Sequence, residues 1–181
     1  MRPRTPLLPL LLVPALLLPA AAAPAAPFRV VDARGRTVSF EALPKRIAVA
    51  GRAVSLIANT LYLFPEAPAR VVAIPDSTQQ ASAAFLSLLD PGLAAKALPG
   101  GAGAGPEQVA PYRPDVVVLK SSSAEKLGEP LERLGLPVVY VDGETPERFL
   151  ADVALLGRLL GNEKRAADII AGPPRQLIET V

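Results

Sequence analysis

The sequence predicts an α/β fold: a three-layer lobe around a parallel sheet, with a β-hairpin at its N-terminal side and a long backbone helix at its C-terminal side. Two observations predict the sheet. Four short runs are apolar after their first residue: 46–50 (RIAVA), 70–74 (RVVAI), 115–119 (DVVVL) and 137–141 (PVVYV). Strands that are apolar on both faces suit a parallel sheet covered by helices on both sides. Stretches with helical spacing, 53–63, 82–89, 106–112 and 124–134, alternate with these runs. Strand–helix alternation builds βαβ units with right-handed crossovers.

The hairpin is read from 28–32 and 36–40, which alternate apolar and polar residues around Ala33-Arg34-Gly35, with Gly35 free to take a positive φ. After the fourth strand, Thr145 is a candidate N-cap, Pro146 suits the first helical position, and Glu147 complements the helix dipole. Phe149, Leu150, Val153, Leu156, Leu159 and Leu160 form one apolar face. Taken as one helix, 146–171 would be about 39 Å long at 1.5 Å per residue. Gly161-Asn162 is the point where it would kink or end, and Gly172-Pro173-Pro174 stops it.

Residues 1–25 read as a secretory signal peptide. Arg2 and Arg4 give a positive start, 7–18 an apolar core, and 20–26 a run of small residues. Ala23 and Ala25 suit cleavage before Ala26, and Ala20 and Ala22 fit nearly as well. The apolar core is too short for a spanning helix, which needs about 20 residues. The expected organisation is therefore signal peptide 1–25, α/β lobe 26–145, backbone helix 146–171 and tail 172–181, in a periplasmic protein without a membrane anchor.

The chain has no cysteine and no histidine. That excludes lipid attachment at a cleavage-site cysteine, disulfides, thiolate metal sites, Ser-His-Asp triads and histidine ligation. With Arg2 and Arg4 in the leader, 17 basic residues remain against 17 acidic ones. This balance gives no reason to expect nucleic acid as a partner.

Ligands of open α/β sheets bind beyond the carboxyl ends of the strands. There the sequence places Arg52, then Asp76, Ser77, Thr78 and Gln79, then Lys120, Ser121, Ser122 and Ser123, then Asp142 and Glu144. Arg52, Ser77, Gln79, Lys120, Ser121 and Ser122 are the candidate ligand-binding residues, and two cations among hydroxyls and amides suit an anionic or oxygen-rich ligand. Each also has an ordinary reading as a polar loop residue or helix cap. The glycine run 100–105 (GGAGAG) is not a nucleotide loop, because no strand precedes it and its spacing misses G-x-G-x-x-G. It reads as a flexible loop leading into a helix.

Several segments resemble the periplasmic substrate-binding proteins of ABC importers for iron–siderophore complexes, haem and cobalamin. They are 28–38 (FRVVDARGRTV), 44–49 (PKRIAV), 105–119 (GPEQVAPYRPDVVVL), 134–141 (LGLPVVYV) and 155–166 (LLGRLLGNEKRA). The third carries a glutamate seven residues before a Pro-Asp that starts a strand. The resemblance implies a lobe and the start of a backbone helix, with the ligand held between two lobes; the second lobe is expected to be absent here, as in a truncated or frameshifted reading frame. It implies that Glu107 docks on arginines of the permease subunits, against an alternative role in complementing the helix dipole. It also implies a metal chelate as ligand, a ferric siderophore first and cobalamin second, with no resident cofactor and no catalysis. The alternatives are an exported α/β hydrolytic enzyme using Lys120 beside Ser121, and a fragment without function of its own.

Overall fold

A computed structural model describes residues 27–76 and 80–172. The segment 1–25 expected to be a signal peptide, Ser77, Thr78, Gln79 and the tail from 173 onward lie outside the described residues. The hairpin is β1 (Phe28–Val31) and β2 (Thr37–Phe40), paired antiparallel. Asp32 closes its turn by accepting from the backbone N–H groups of Arg34 and Arg36, both at 3.0 Å, while Gly35 supplies φ 74°.

The sheet contains β3 (Ile47–Val49), β4 (Val71–Ala73), β5 (Val116–Lys120) and β6 (Val138–Val141), all parallel, in the order β4-β3-β5-β6. The helices are α1 (Val54–Leu61), α2 (Ala67–Arg70), α3 (Gln80–Leu89), α4 (Pro106–Val109), α5 (Glu129–Arg133), α6 (Pro146–Leu159) and α7 (Glu163–Ala171). Successive strand residues face opposite ways, and the apolar runs divide accordingly. Ile47, Val49, Val116, Val118, Val139 and Val141 join a core closed by α1, α6 and the hairpin. Ala48, Val117, Leu119, Val138 and Tyr140 join a second core with Val109, Leu127 and Leu131. Burial on both faces explains why these strands lack polar alternation.

The hairpin also covers the free edge of β6. The Ala33 N–H donates to the Tyr140 carbonyl at 2.9 Å, and the Arg36 guanidinium donates to the Val138 carbonyl at 3.0 Å. An exposed edge is a template for unwanted pairing, and here its carbonyls are occupied. At the opposite end of β5, Asp115 accepts from the backbone N–H groups of Lys45 and Arg46 at 2.7 and 2.9 Å. The aspartate of the Pro-Asp motif thus fixes where β3 and β5 begin.

Two helical stretches differ from expectation. The single helix expected over 146–171 is two helices, α6 and α7, packed against each other. Leu160 ends α6, Gly161 turns at φ 64°, and Asn162 starts α7 by accepting from the Arg165 N–H at 3.0 Å. A Cβ on Gly157 would lie 2.5 Å from the Ala166 Cβ, so the close approach of the two helices requires glycine there. The stretch 124–134 begins as a wide π-type turn over Ala124–Gly128 and becomes α5 afterwards. Pro130 lacks an N–H, which removes one regular helical bond at this junction. Among the described residues, no helix is long and apolar enough to cross a membrane.

Candidate ligand cleft at the carboxyl edge of the sheet

The strands β3 and β5 end beside one another, and the segments that leave them form a cleft of about 820 Å³. Its walls are residues 51–53 after β3, the small residues 102–105 ahead of α4, Ser122 and Ser123 after β5, and Lys126 and Leu127 in the wide turn. Local sequence explains each wall. Gly51 takes φ 74°, and a Cβ there would sit 3.0 Å from the Ser123 hydroxyl, so glycine lets the two loops touch. Ala53 is also left-handed, at φ 57°, an uncommon conformation for a residue with a side chain. The chain therefore bends sharply on both sides of Arg52, whose side chain is exposed at the cleft.

The third wall arrives from a distance. Ile74 forms a parallel bridge to Ala97, with the Ile74 N–H donating to the Lys96 carbonyl and the Leu98 N–H to the Ile74 carbonyl, both at 2.9 Å. This extension carries the glycine-rich loop onto the carboxyl edge. Gln108 then accepts from the Gly105 N–H at 2.7 Å and starts α4.

Of the six expected ligand residues, Arg52 and Ser122 line the cleft. Ser77 and Gln79 lie outside the described residues. Ser121 begins a 3-10 turn but is not part of the cleft lining. Lys120 is engaged elsewhere: its ammonium donates to the Asp142 carbonyl at 2.8 Å and pairs with the Glu144 carboxylate at 2.8 Å and with Asp142 Oδ1 at 3.3 Å. Arg148 pairs with the other Asp142 oxygen. Burial works against the charge on Lys120, but Glu144 and Asp142 outweigh it and raise its pKa. Burial likewise opposes ionisation of Asp142, but Lys120 and Arg148 outweigh it and hold its carboxyl below the usual range.

Behind this cluster Asp152, on α6, accepts from the Asp142 N–H at 2.9 Å. Burial pushes its carboxyl up to about 6, against the pull of backbone donors at Asp142 and Gly143. The cluster thus ties the end of β6 to α6 rather than facing the cleft. Glu107 does not line the cleft either. It is exposed in the first turn of α4, beside a separate hollow of about 400 Å³ formed with Pro99, Gln108, Pro111 and Tyr112. Sequence reasoning missed Lys126 and the 102–105 wall. The first looked like an ordinary exposed helical lysine, and the second is placed by the bridge at Ala97.

This architecture has known counterparts. A periplasmic solute-binding protein from Veillonella parvula DSM 2008 is 25% identical, with a TM-score of 0.67 over 80% of this chain and 44% of that one. FepB from Veillonella parvula, a TroA-like periplasmic binding protein, is 22% identical, with a TM-score of 0.65 over 80% of this chain and 46% of that one. The chain has the fold of the TroA-like periplasmic binding proteins. The haem-binding protein HmuT shares this binding-protein fold at 18% identity, with a TM-score of 0.60 over 88% of this chain and 48% of that one. The chain thus spans a little under half the length of these structures. No family model matches the sequence, and no curated protein matches it. These neighbours are binding proteins rather than enzymes, in agreement with the expectation of no catalytic role.

Proposed function

We propose that this chain is the α/β lobe of a periplasmic solute-binding protein that captures a metal chelate and passes it to an ABC importer. The observation that carries this reading is the cleft at the carboxyl ends of β3 and β5, in a fold shared with periplasmic binding proteins. Ligands of open parallel sheets sit at that edge. HmuT, which has this fold, is a haem-binding protein, and its likeness supports a metal chelate as the class of ligand. Arg52 and Ser122 are the binding residues foreseen from sequence that reach the cleft. Delivery to permease subunits, with Glu107 as a docking residue, rests on the resemblance of 105–119 to the importer family and on the exposure of Glu107.

The hydrolase alternative needs Lys120 as a base beside Ser121. The raised pKa of Lys120 keeps it protonated, and its carboxylate partners occupy it, so it is poorly suited to accept a proton. Calorimetric titration with a ferric siderophore, haem and cyanocobalamin tests the proposal. Saturable binding of at least one of them without turnover supports it. Hydrolysis of ester or amide substrates that is lost in Ser121→Ala contradicts it.

A further inference from the structure

We infer that the ligand of this cleft is a polyanionic, carboxylate-rich metal chelate, held by Arg52 and Lys126 together. The inference rests on the binding reading above and narrows its ligand class. Arg52 comes from the turn after β3 and Lys126 from the wide turn after β5, so two separate segments each bring one cation to the same cleft. Both side chains are exposed, and neither forms an ion pair with a described residue. The other cation at the carboxyl ends of β5 and β6, Lys120, and Arg148 beside it are neutralised by Asp142, as Lys96 is by Asp90. Of the acids near the strand ends, Asp142 and Glu144 are held in such pairs, and Asp76 and Glu125 are not part of the cleft lining.

Among the described residues that line the cleft there is no carboxylate and no aromatic ring. A cationic chelate would find no counter-charge there. A porphyrin would find no stacking ring and no tyrosine, methionine or histidine to ligate its iron. A large neutral corrinoid would meet two uncompensated charges, which cost desolvation without return. A multiply charged carboxylate ligand matches both cations and the Ser122 hydroxyl. Arginine accepts such groups with two parallel bonds, and lysine does so as a mobile point charge. Two like charges with no acid between them also focus an attractive field on an incoming anion.

The test is titration of the purified chain with four probes: ferric citrate, a cationic linear ferric trihydroxamate chelate, haem and cyanocobalamin. Ferric citrate is expected to bind most tightly, and its affinity falls as salt rises from about 50 mM to about 500 mM, because exposed charges are screened. Arg52→Ala and Lys126→Ala each weaken it about tenfold, the scale of a lost charged hydrogen bond. Arg29→Ala, which removes one charge on the hairpin, leaves it unchanged. Preferential binding of the trihydroxamate, haem or cyanocobalamin, or ferric citrate affinity unaltered in both cleft variants, overturns the polyanion inference and leaves the binding reading standing. Failure of all four probes to bind overturns both.

Discussion

Replacing Gly128 by alanine should damage the lobe through one contact. Gly128 ends the wide turn that carries Lys126 and Leu127, and it lies against the side chain of Tyr140 on β6. An added Cβ would sit 1.8 Å from the Tyr140 Oη and 2.8 Å from its Cζ. Non-bonded carbon contacts are comfortable near 3.5 Å, so relief needs a shift of roughly 1.5 Å. Tyr140 cannot supply it easily: the residue is fully buried, and the Arg36 guanidinium stacks 4.3 Å from its ring centroid. Overpacking on this scale costs about 3 kcal/mol. In a domain of this size that lowers Tm by roughly 10 °C. Thermal and urea unfolding followed by circular dichroism would measure it. The contact can be isolated with Tyr140→Phe. The Tyr140 Oη is buried without a hydrogen-bond partner among the described residues, so Tyr140→Phe alone should be neutral or mildly stabilising. In the double variant the 1.8 Å clash is gone and the 2.8 Å contact remains, so about half of the loss should return. Gly128→Ala with an unchanged Tm, or a double variant no more stable than Gly128→Ala, would refute this account of the turn.

Asp152 sets a pH dependence. Its folded pKa is about 6 against 3.8 for the free group, so the folded state binds the proton more tightly and ionisation of Asp152 costs stability. That cost is absent below about 4, grows as pH rises to about 6, and is complete above it; Asp142, whose pKa is lowered, acts in the opposite sense and loses its contribution only in acid. Asp152→Asn keeps an acceptor for the Asp142 N–H, and its stability relative to wild type should rise between pH about 4 and about 6, then level off. An identical difference at both ends of that range would contradict the assignment. Ala53→Gly relieves a left-handed alanine and should stabilise the lobe by about 0.5–1 kcal/mol in urea titrations; a loss of stability would show that the alanine side chain matters there.

Much of the sheet could be read from single residues. Runs such as RIAVA and DVVVL sit where both faces are covered, so apolar continuity marked them as parallel strands. The turn around Asp32 and Gly35, and the Thr145 cap, which accepts from the Arg148 N–H at 3.3 Å, depend on neighbours a few residues away and were equally visible. Features set by distant partners were not. The wide turn arises just ahead of a proline inside a regular apolar spacing, and it carries Lys126, which lines the cleft. Lys120 looked like a free cation because its partners Asp142 and Glu144 lie on the next strand's loop. The division of 146–171 depended on whether Gly161 would turn, and the Gly157–Ala166 approach shows what the turn permits.

The central claim is that a metal chelate occupies the cleft at the carboxyl edge of the sheet. Amide NMR spectra of the chain with and without a ferric chelate test this most directly, because the paramagnetic ion broadens nearby signals. Broadening centred on residues 51–53, 102–105 and 122–127, with the hairpin and α7 unaffected, is the predicted result. Broadening centred on the hairpin edge at Val31 or on the hollow beside Glu107, or no broadening at saturating chelate, would contradict it.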